Sequence, residues 1–261
     1  MIKKVLVIAV VLFFYSTVCN ASSMGNKITP IGNMKTAVSA EANFMLDRDM
    51  ESGGSSTSGS NITSFEMTEI YQYYAKLILG ISEYANIYAK LGTSKISEAK
   101  VKFSTGEDVT IESEGDLLYG GGFNIIHDFG DYFVGLNGDV SFFDVGVDGL
   151  DVTGTTISNI SGEFKNTEYQ IGGFFGMNMN VTEDLMLTPY VSVFYNKFNA
   201  DTDGITYGTP TTYTLTFDSD SEDEVGGGVG VDIKLLENMT LNVEGRFATG
   251  TSFSVGGTIE F

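Results

Sequence analysis

The sequence predicts an all-β fold, a closed antiparallel transmembrane barrel of about ten strands with eight as the next choice. Three observations predict it. Apolar and polar residues alternate with a period of two in window after window, as strands with two different faces require. The connectors between these windows alternate between short and long. After residue 21 no stretch has 18 uninterrupted apolar residues, so no membrane helix competes with the strands.

Composition removes several function classes. The 261 residues carry 34 acidic and 14 basic groups, a formal charge of −20, and so lack the clustered cations that nucleic-acid binding needs. With 32 Gly but only 3 Pro, and 42% apolar residues including 19 Phe and 13 Tyr, the chain is neither collagen-like nor an acidic disordered tail. At the N-terminus, Lys3 and Lys4 precede an apolar run from Val5 to Tyr15 and small or polar residues ending at Ala21. This is the layout of a secretory signal peptide over residues 1–21, too short to span a bilayer. A lipidated Cys19 is the alternative, disfavoured by Val18 before it. Cleavage after Ala21 removes the single Cys and two Lys, leaving 34 acidic against 12 basic groups, a charge of −22. Disulfide and thiol chemistry are then excluded.

Residues 22–33 follow as a periplasmic segment, and the barrel is expected over 34–261. The ten windows lie near 34–46, 65–79, 86–95, 115–127, 132–144, 166–179, 186–199, 222–235, 239–249 and 251–261. In the fifth, Tyr132, Val134, Leu136, Val140 and Phe142 oppose Asn137, Asp139 and Ser141. In the eighth, Val225, Val229, Val231, Ile233 and Leu235 oppose glycines, Asp232 and Lys234. Short connectors fall near 80–85, 128–131, 180–185 and 236–238. Long polar ones fall near 47–64, 96–114, 145–165 and 200–221. Short turns at one end and long loops at the other are the rhythm of a bacterial outer-membrane barrel, with both termini periplasmic for an even strand number. A secreted soluble sandwich would alternate too. The Gly-, Asn- and Ser-rich polar faces, and aromatics near strand ends (Tyr71, Tyr73, Tyr119, Phe129, Tyr132, Tyr195, Phe198), favour apolar faces turned to lipid.

The last strand carries Phe253, Val255, Gly257, Ile259 and the terminal Phe261 in alternation. It resembles the C-terminal assembly signal of Gram-negative outer-membrane proteins. With the hairpin rhythm, the chain looks like a small outer-membrane barrel of the opacity-like or porin-like class. The resemblance implies an outer-membrane location, insertion by the barrel-assembly machinery through Phe253, Val255, Ile259 and Phe261, and contact with outer-membrane lipid and lipopolysaccharide. A monomer is expected.

Strand phase places Tyr74, Lys76, Tyr88, Lys90, Asp139, Glu168, Asp232, Lys234, Glu244, Arg246 and Glu260 in the interior as a polar lattice, with Glu41 beside them. Buried charges need partners, so a lattice of ion pairs and hydrogen bonds is expected. The copies Tyr74-Ala75-Lys76-Leu77 and Tyr88-Ala89-Lys90-Leu91 flank a turn placed at Ser82, a register that sets Tyr74 opposite Lys90 and Lys76 opposite Tyr88. The filled interior predicts a structural or surface-interaction role. A narrow, mildly cation-preferring channel is the alternative, because open aqueous lumens belong to larger barrels.

No catalytic, cofactor-binding or metal-ligating set is expected. The lone His127 sits at a periplasmic turn, and Gly226–Gly230 lies inside a strand with no helix after it. The acids of 144–151 and 200–224 read as solvated external loops, without the spacing of a calcium loop. The Gly/Ser tract 52–60 reads as a loop tip.

Overall fold

The computed structural model describes residues 31–50, 55–56, 61–152, 155–157, 160–182, 185–202, 204–207, 213–216, 218–221, 224–247 and 250–261. The expected signal peptide, most of the 22–33 segment and most of the Gly/Ser tract lie outside them.

Ten long strands form the wall: β1 (Thr36–Met50), β2 (Ile62–Ser82), β3 (Ala85–Phe103), β4 (Asp116–Phe129), β5 (Tyr132–Val152), β6 (Glu163–Met177), β7 (Met186–Thr202), β8 (Glu224–Leu236), β9 (Met239–Phe247) and β10 (Thr251–Glu260). Each pairs antiparallel with its chain neighbour. The ring closes where β10 meets β1, from Ala37 against Glu260 to Met45 against Ser252. Closure leaves no unpaired edge in the wall, the condition for a sheet to sit in hydrocarbon.

The lower half reads as the alternation predicts. Outward side chains such as Leu77, Leu91, Leu136, Ile171 and Val193 are exposed, while Ser39, Asn43, Gln72, Asn137, Ser192 and Asn242 are buried inside. Aromatic side chains ring both ends of this band. Tyr84, Phe129, Tyr132 and Phe175 lie on the periplasmic side, and Tyr73, Tyr119 and Tyr169 on the external side. Tyr132 stacks on Phe175, and Tyr119 on Phe142. Phe198 departs from this pattern: it is buried in the interior, 1% exposed, because its strand phase points inward above the band. The lower turns are tight. Between β4 and β5, Gly130 takes φ +79°, the positive angle that a two-residue hairpin of type II′ requires at its first position.

The upper half differs from expectation. The segments read as long polar loops largely continue the strands. β2 and β5 each run for 21 residues, about twice the 9–11 a tilted strand needs to cross a bilayer. A further strand, Asp108–Ser113, is inserted between the upper ends of β3 and β5. Across the short side made by β8–β10, residues 55–56 pair with 215–216, and 205–207 pair with 213–215. Bridges Met50–Ser221 and Ser161–Thr206 tie these loops to the wall. The result is a dome over the external mouth. Its inward face is apolar, with Phe65, Met67, Ile96, Val101, Ile111, Phe143, Val145, Phe164, Phe198, Ile205 and Leu215 in one buried cluster.

On β5–β7 Phe143, Phe164 and Phe198 point inward in the same phase as Ser141, Glu168 and Asn196; on β1–β3 backbone irregularities bring the apolar side chains inward. Glu69 adopts φ +54°, and the pairing of β1 with β2 skips Leu46 and Glu69. Below this kink Met45, Ile70 and Gln72 point in; above it Arg48, Met50, Phe65 and Met67 do. Leu46, Glu69 and Ser97 are left unpaired at one level of three neighbouring strands, so the register is kept while the alternating set that faces the core is reversed. In β3 the inward set likewise passes from Ser94 and Ile96 to Ala99, Val101 and Phe103.

Candidate functional site: the buried polar lattice

The candidate site is the interior layer between dome and periplasmic end. Of the residues assigned to it from sequence, Tyr74, Lys76, Tyr88, Lys90, Glu168, Asp232, Glu244 and Arg246 are buried. The Asp139 side chain is 7% exposed. Lys234 and Glu260 are partly exposed near the periplasmic ends of β8 and β10, at the edge of the lattice.

The register across the β2–β3 turn differs from expectation. Lys76 stands directly opposite Lys90, because Ser82 pairs with Ala85 and the turn is Glu83-Tyr84. Centring the turn on Ser82 misplaced the whole repeat by two residues. The two ammonium groups are separated by their choice of partner. Lys76 Nζ lies 2.9 Å from Glu41 Oε2 on β1, and Lys90 pairs with Asp139 on β5, two strands away on the other side. Tyr88 donates its hydroxyl to Asp139 Oδ2 at 2.7 Å. The phenol rings lie against both cations: Lys76 Nζ is 4.8 Å from the Tyr88 ring centre, and Lys90 Nζ is 5.2 Å from that of Tyr74. Each lysine thus has a carboxylate and an aromatic face, which offsets a like-charge pair that would otherwise repel.

Two arginines complete the layer. Arg246 donates Nε to Glu244 Oε1 at 2.9 Å and Nη1 to Gln170 Oε1 at 2.6 Å, with its guanidinium 4.7 Å from the Phe194 ring centre. Arg48 donates to Glu168 Oε1 at 3.3 Å and stacks 4.6 Å from the Phe198 ring centre. Asn196 donates to the same Glu168 oxygen at 3.0 Å. The sequence reading missed Arg48 because it falls in the expected connector 47–64, and strict alternation carried on along β1 would also send it outward. Asp232 accepts from Asn242 at 2.6 Å, and Asn242 also donates to Tyr190.

These bonds join opposite walls. β1 and β6 are five positions apart in a ring of ten, so the Arg48–Glu168 pair crosses the lumen near its diameter. Small residues make room for the other lattice cations: a Cβ on Gly228 would fall 3.1 Å from Arg246, and one on Gly120 would fall 2.9 Å from Lys90.

The four residues of the C-terminal strand, Phe253, Val255, Ile259 and Phe261, lie on its outward face, with Val255, Ile259 and Phe261 exposed. His127 lies at the periplasmic end, its ring 4.6 Å from that of Phe129 and far along β4 from the external rim. Among the described residues no group of three or more His, Cys, Asp or Glu side chains is arranged to hold a metal.

A closed ring of ten antiparallel strands, with lipid-facing apolar residues, aromatic girdles and a charged interior, defines an outer-membrane β-barrel. A family model described as the autotransporter β-domain matches residues 73–259, and the chain belongs to that family. Its place in the cell is accordingly the outer membrane of a Gram-negative bacterium. No curated protein matches the chain. Among solved structures, the outer membrane protease OmpT from Escherichia coli is similar at 10% identity and TM-score 0.50, covering 92% of this chain and 97% of that one. The translocator domain of the autotransporter NalP from Neisseria meningitidis is similar at 14% identity and TM-score 0.41, covering 88% and 90%. The outer membrane protein OprG from Pseudomonas aeruginosa is similar at 10% identity and TM-score 0.39, covering 90% and 98%. At these identities the likeness concerns the fold.

Proposed function

We propose that this barrel is a closed membrane scaffold whose business is at its external dome, with a structural or surface-interaction role. The observation that carries this reading is the Arg48–Glu168 pair, which bars the lumen between β1 and β6 directly beneath the apolar dome. An ion or solute passing through would have to break buried charge pairs, each costly to leave half-made, and then part a packed apolar layer. The family's description raises passage of a polypeptide through the lumen, and the same bar stands in that path. The reading extends to partners. Lipid and lipopolysaccharide surround the apolar band, the C-terminal strand addresses the assembly machinery, and the protein acts as a monomer. The acids on the dome's exterior, among them Glu66, Glu112 and Asp148, keep it solvated above an anionic surface.

Conductance in planar bilayers tests the reading. The purified protein should insert without steady unitary openings, and Arg48→Ala with Glu168→Ala should begin to flicker. Steady cation-preferring openings of the unaltered protein would establish the narrow channel instead.

A further inference from the structure

The chain enters β1 through a tight reversal at the periplasmic mouth. Ile31 is buried, 2% exposed, in a cluster with Ala37, Ile78 and Tyr88, all inward residues of the wall. Its backbone N–H donates to Asn86 Oδ1 inside β3 at 3.2 Å. Residues 32–35 then turn back to the wall: Met34 N–H donates to the Gly80 carbonyl at 2.8 Å, and Gly80 N–H to the Lys35 carbonyl at 3.0 Å. The reversal requires φ +92° at Gly32 and φ +59° at Met34, the latter a strained value for a side-chain-bearing residue. Gly80 is fitted to it, because a Cβ there would stand 1.8 Å from the Gly32 carbonyl oxygen.

Behind Ile31 the wall is polar. Asn86 faces Asn124 on β4, and Asn124 faces Asn137 on β5, so three amides form one cross-strand row leading away from the mouth. Asn137 is 0% exposed, and neither its Oδ1 nor its Nδ2 is hydrogen-bonded within the protein. A buried amide in that position calls for ordered water.

We propose that Ile31–Lys35 is a periplasmic stopper, a strap that closes the lower mouth over a hydrated pocket lined by Asn86, Asn124 and Asn137. The strain at Met34, and an anchorage of three hydrogen bonds outside the ladder that closes the ring, let the strap lift while the ring stays shut. It deepens the closed-barrel reading, on which it rests for the seal at the external end.

Thiol accessibility tests it, in the full chain with Cys19→Ser. A cysteine at Asn137→Cys is titrated with a small water-soluble methanethiosulfonate, with the strap intact, with Ile31→Gly, and with Gly80→Ala, which displaces the strap without altering it. Both strap variants should speed labelling about tenfold, the change in opening expected when the apolar contact that seats the strap, or the fit at Gly80, is lost and the Ile31 N–H bond to Asn86 is made less often. Ile31→Gly lies outside every strand and leaves the barrel's folding intact, as an unchanged β-sheet circular-dichroism spectrum and heat-unfolding transition will show. Equal rates in all three backgrounds would overturn the stopper. Ser94→Cys, buried on the dome side of the lumen, separates the two readings. Fast labelling there with the strap intact would discredit the sealed external end, whereas a strap-dependent rate at position 137 alone supports the stopper.

Discussion

The two halves of this barrel wall are packed inside out with respect to each other. Within the bilayer, Leu77, Leu136 and Val193 face lipid and Asn43, Lys76 and Glu244 face inward. Above it, on continuations of the same strands, Phe65, Val101 and Phe143 face inward and Glu66, Lys100 and Asp148 face outward. The solvent makes the difference. Hydrocarbon offers no hydrogen bonds, so polar side chains are sheltered inside; above the bilayer, water drives apolar side chains together. On β1–β3 the wall passes from one rule to the other at the unpaired residues Leu46, Glu69 and Ser97, whereas β5–β7 bring Phe143, Phe164 and Phe198 inward in unbroken phase with Ser141, Glu168 and Asn196. A matched irregularity on neighbouring strands reverses their faces without shifting the register.

Substitutions that break one rule at a time sharpen the comparison. The largest effect is expected in the lattice: Glu168→Leu leaves Arg48 buried without its carboxylate and should cost about 3–5 kcal/mol. Chemical unfolding in detergent would measure it, and restoration by the second change Arg48→Met would show that the stranded charge is the cause. In the dome, Phe143→Ala removes a fully buried ring and should cost about 3–5 kcal/mol through the cavity it leaves. It should loosen the dome's amide protection while the membrane band stays protected. Next is a pair of identical insertions on outward faces. Leu136→Lys, near mid-bilayer, should cost about 2–4 kcal/mol. Thr110→Lys on the dome lies between Lys100 and Asp151, whose charges oppose, and should stay within about 0.5 kcal/mol. Equal costs would mean that the band has been placed wrongly.

The smallest effect concerns pH. Partial burial and the Glu163 carboxylate push the Asp144 carboxyl above its ordinary range, with Lys165 opposing them. An acid whose pKa is raised by folding stabilises the fold most when protonated and loses that contribution as pH rises through the raised value. Asp144→Asn should therefore raise dome stability slightly at neutral pH and make no difference below the carboxylate range, as heat-unfolding curves at the two pH values would report.

Much of this architecture was legible in the sequence because period-two alternation is a local property. The ten strands, the four short turns and the inward phase of Lys76, Lys90, Asp139, Glu244 and Arg246 could be read directly. Part of the external half reads as loops because β1–β3 change phase, so that neither alternation runs unbroken through Leu46–Met50 or Ile96–Ala99. Apolar residues at Val101, Phe103, Val109 and Ile111 were present as a signal and were outweighed by the acids between them. The Tyr–Lys register failed on a different ground: two-residue and longer turns are close in sequence, and moving the turn centre from Ser82 to Glu83-Tyr84 changes every partner.

The sequence by itself determined which residues face which way in the bilayer, since lipid acts on each side chain separately. Only the tertiary structure decided who meets whom. The Arg48–Glu168 bar and the dome built from distant loops join residues that ring closure brings together, and Ile31 meets Asn86 only through the reversal at Gly32; no local pattern in the chain records where a ring will close.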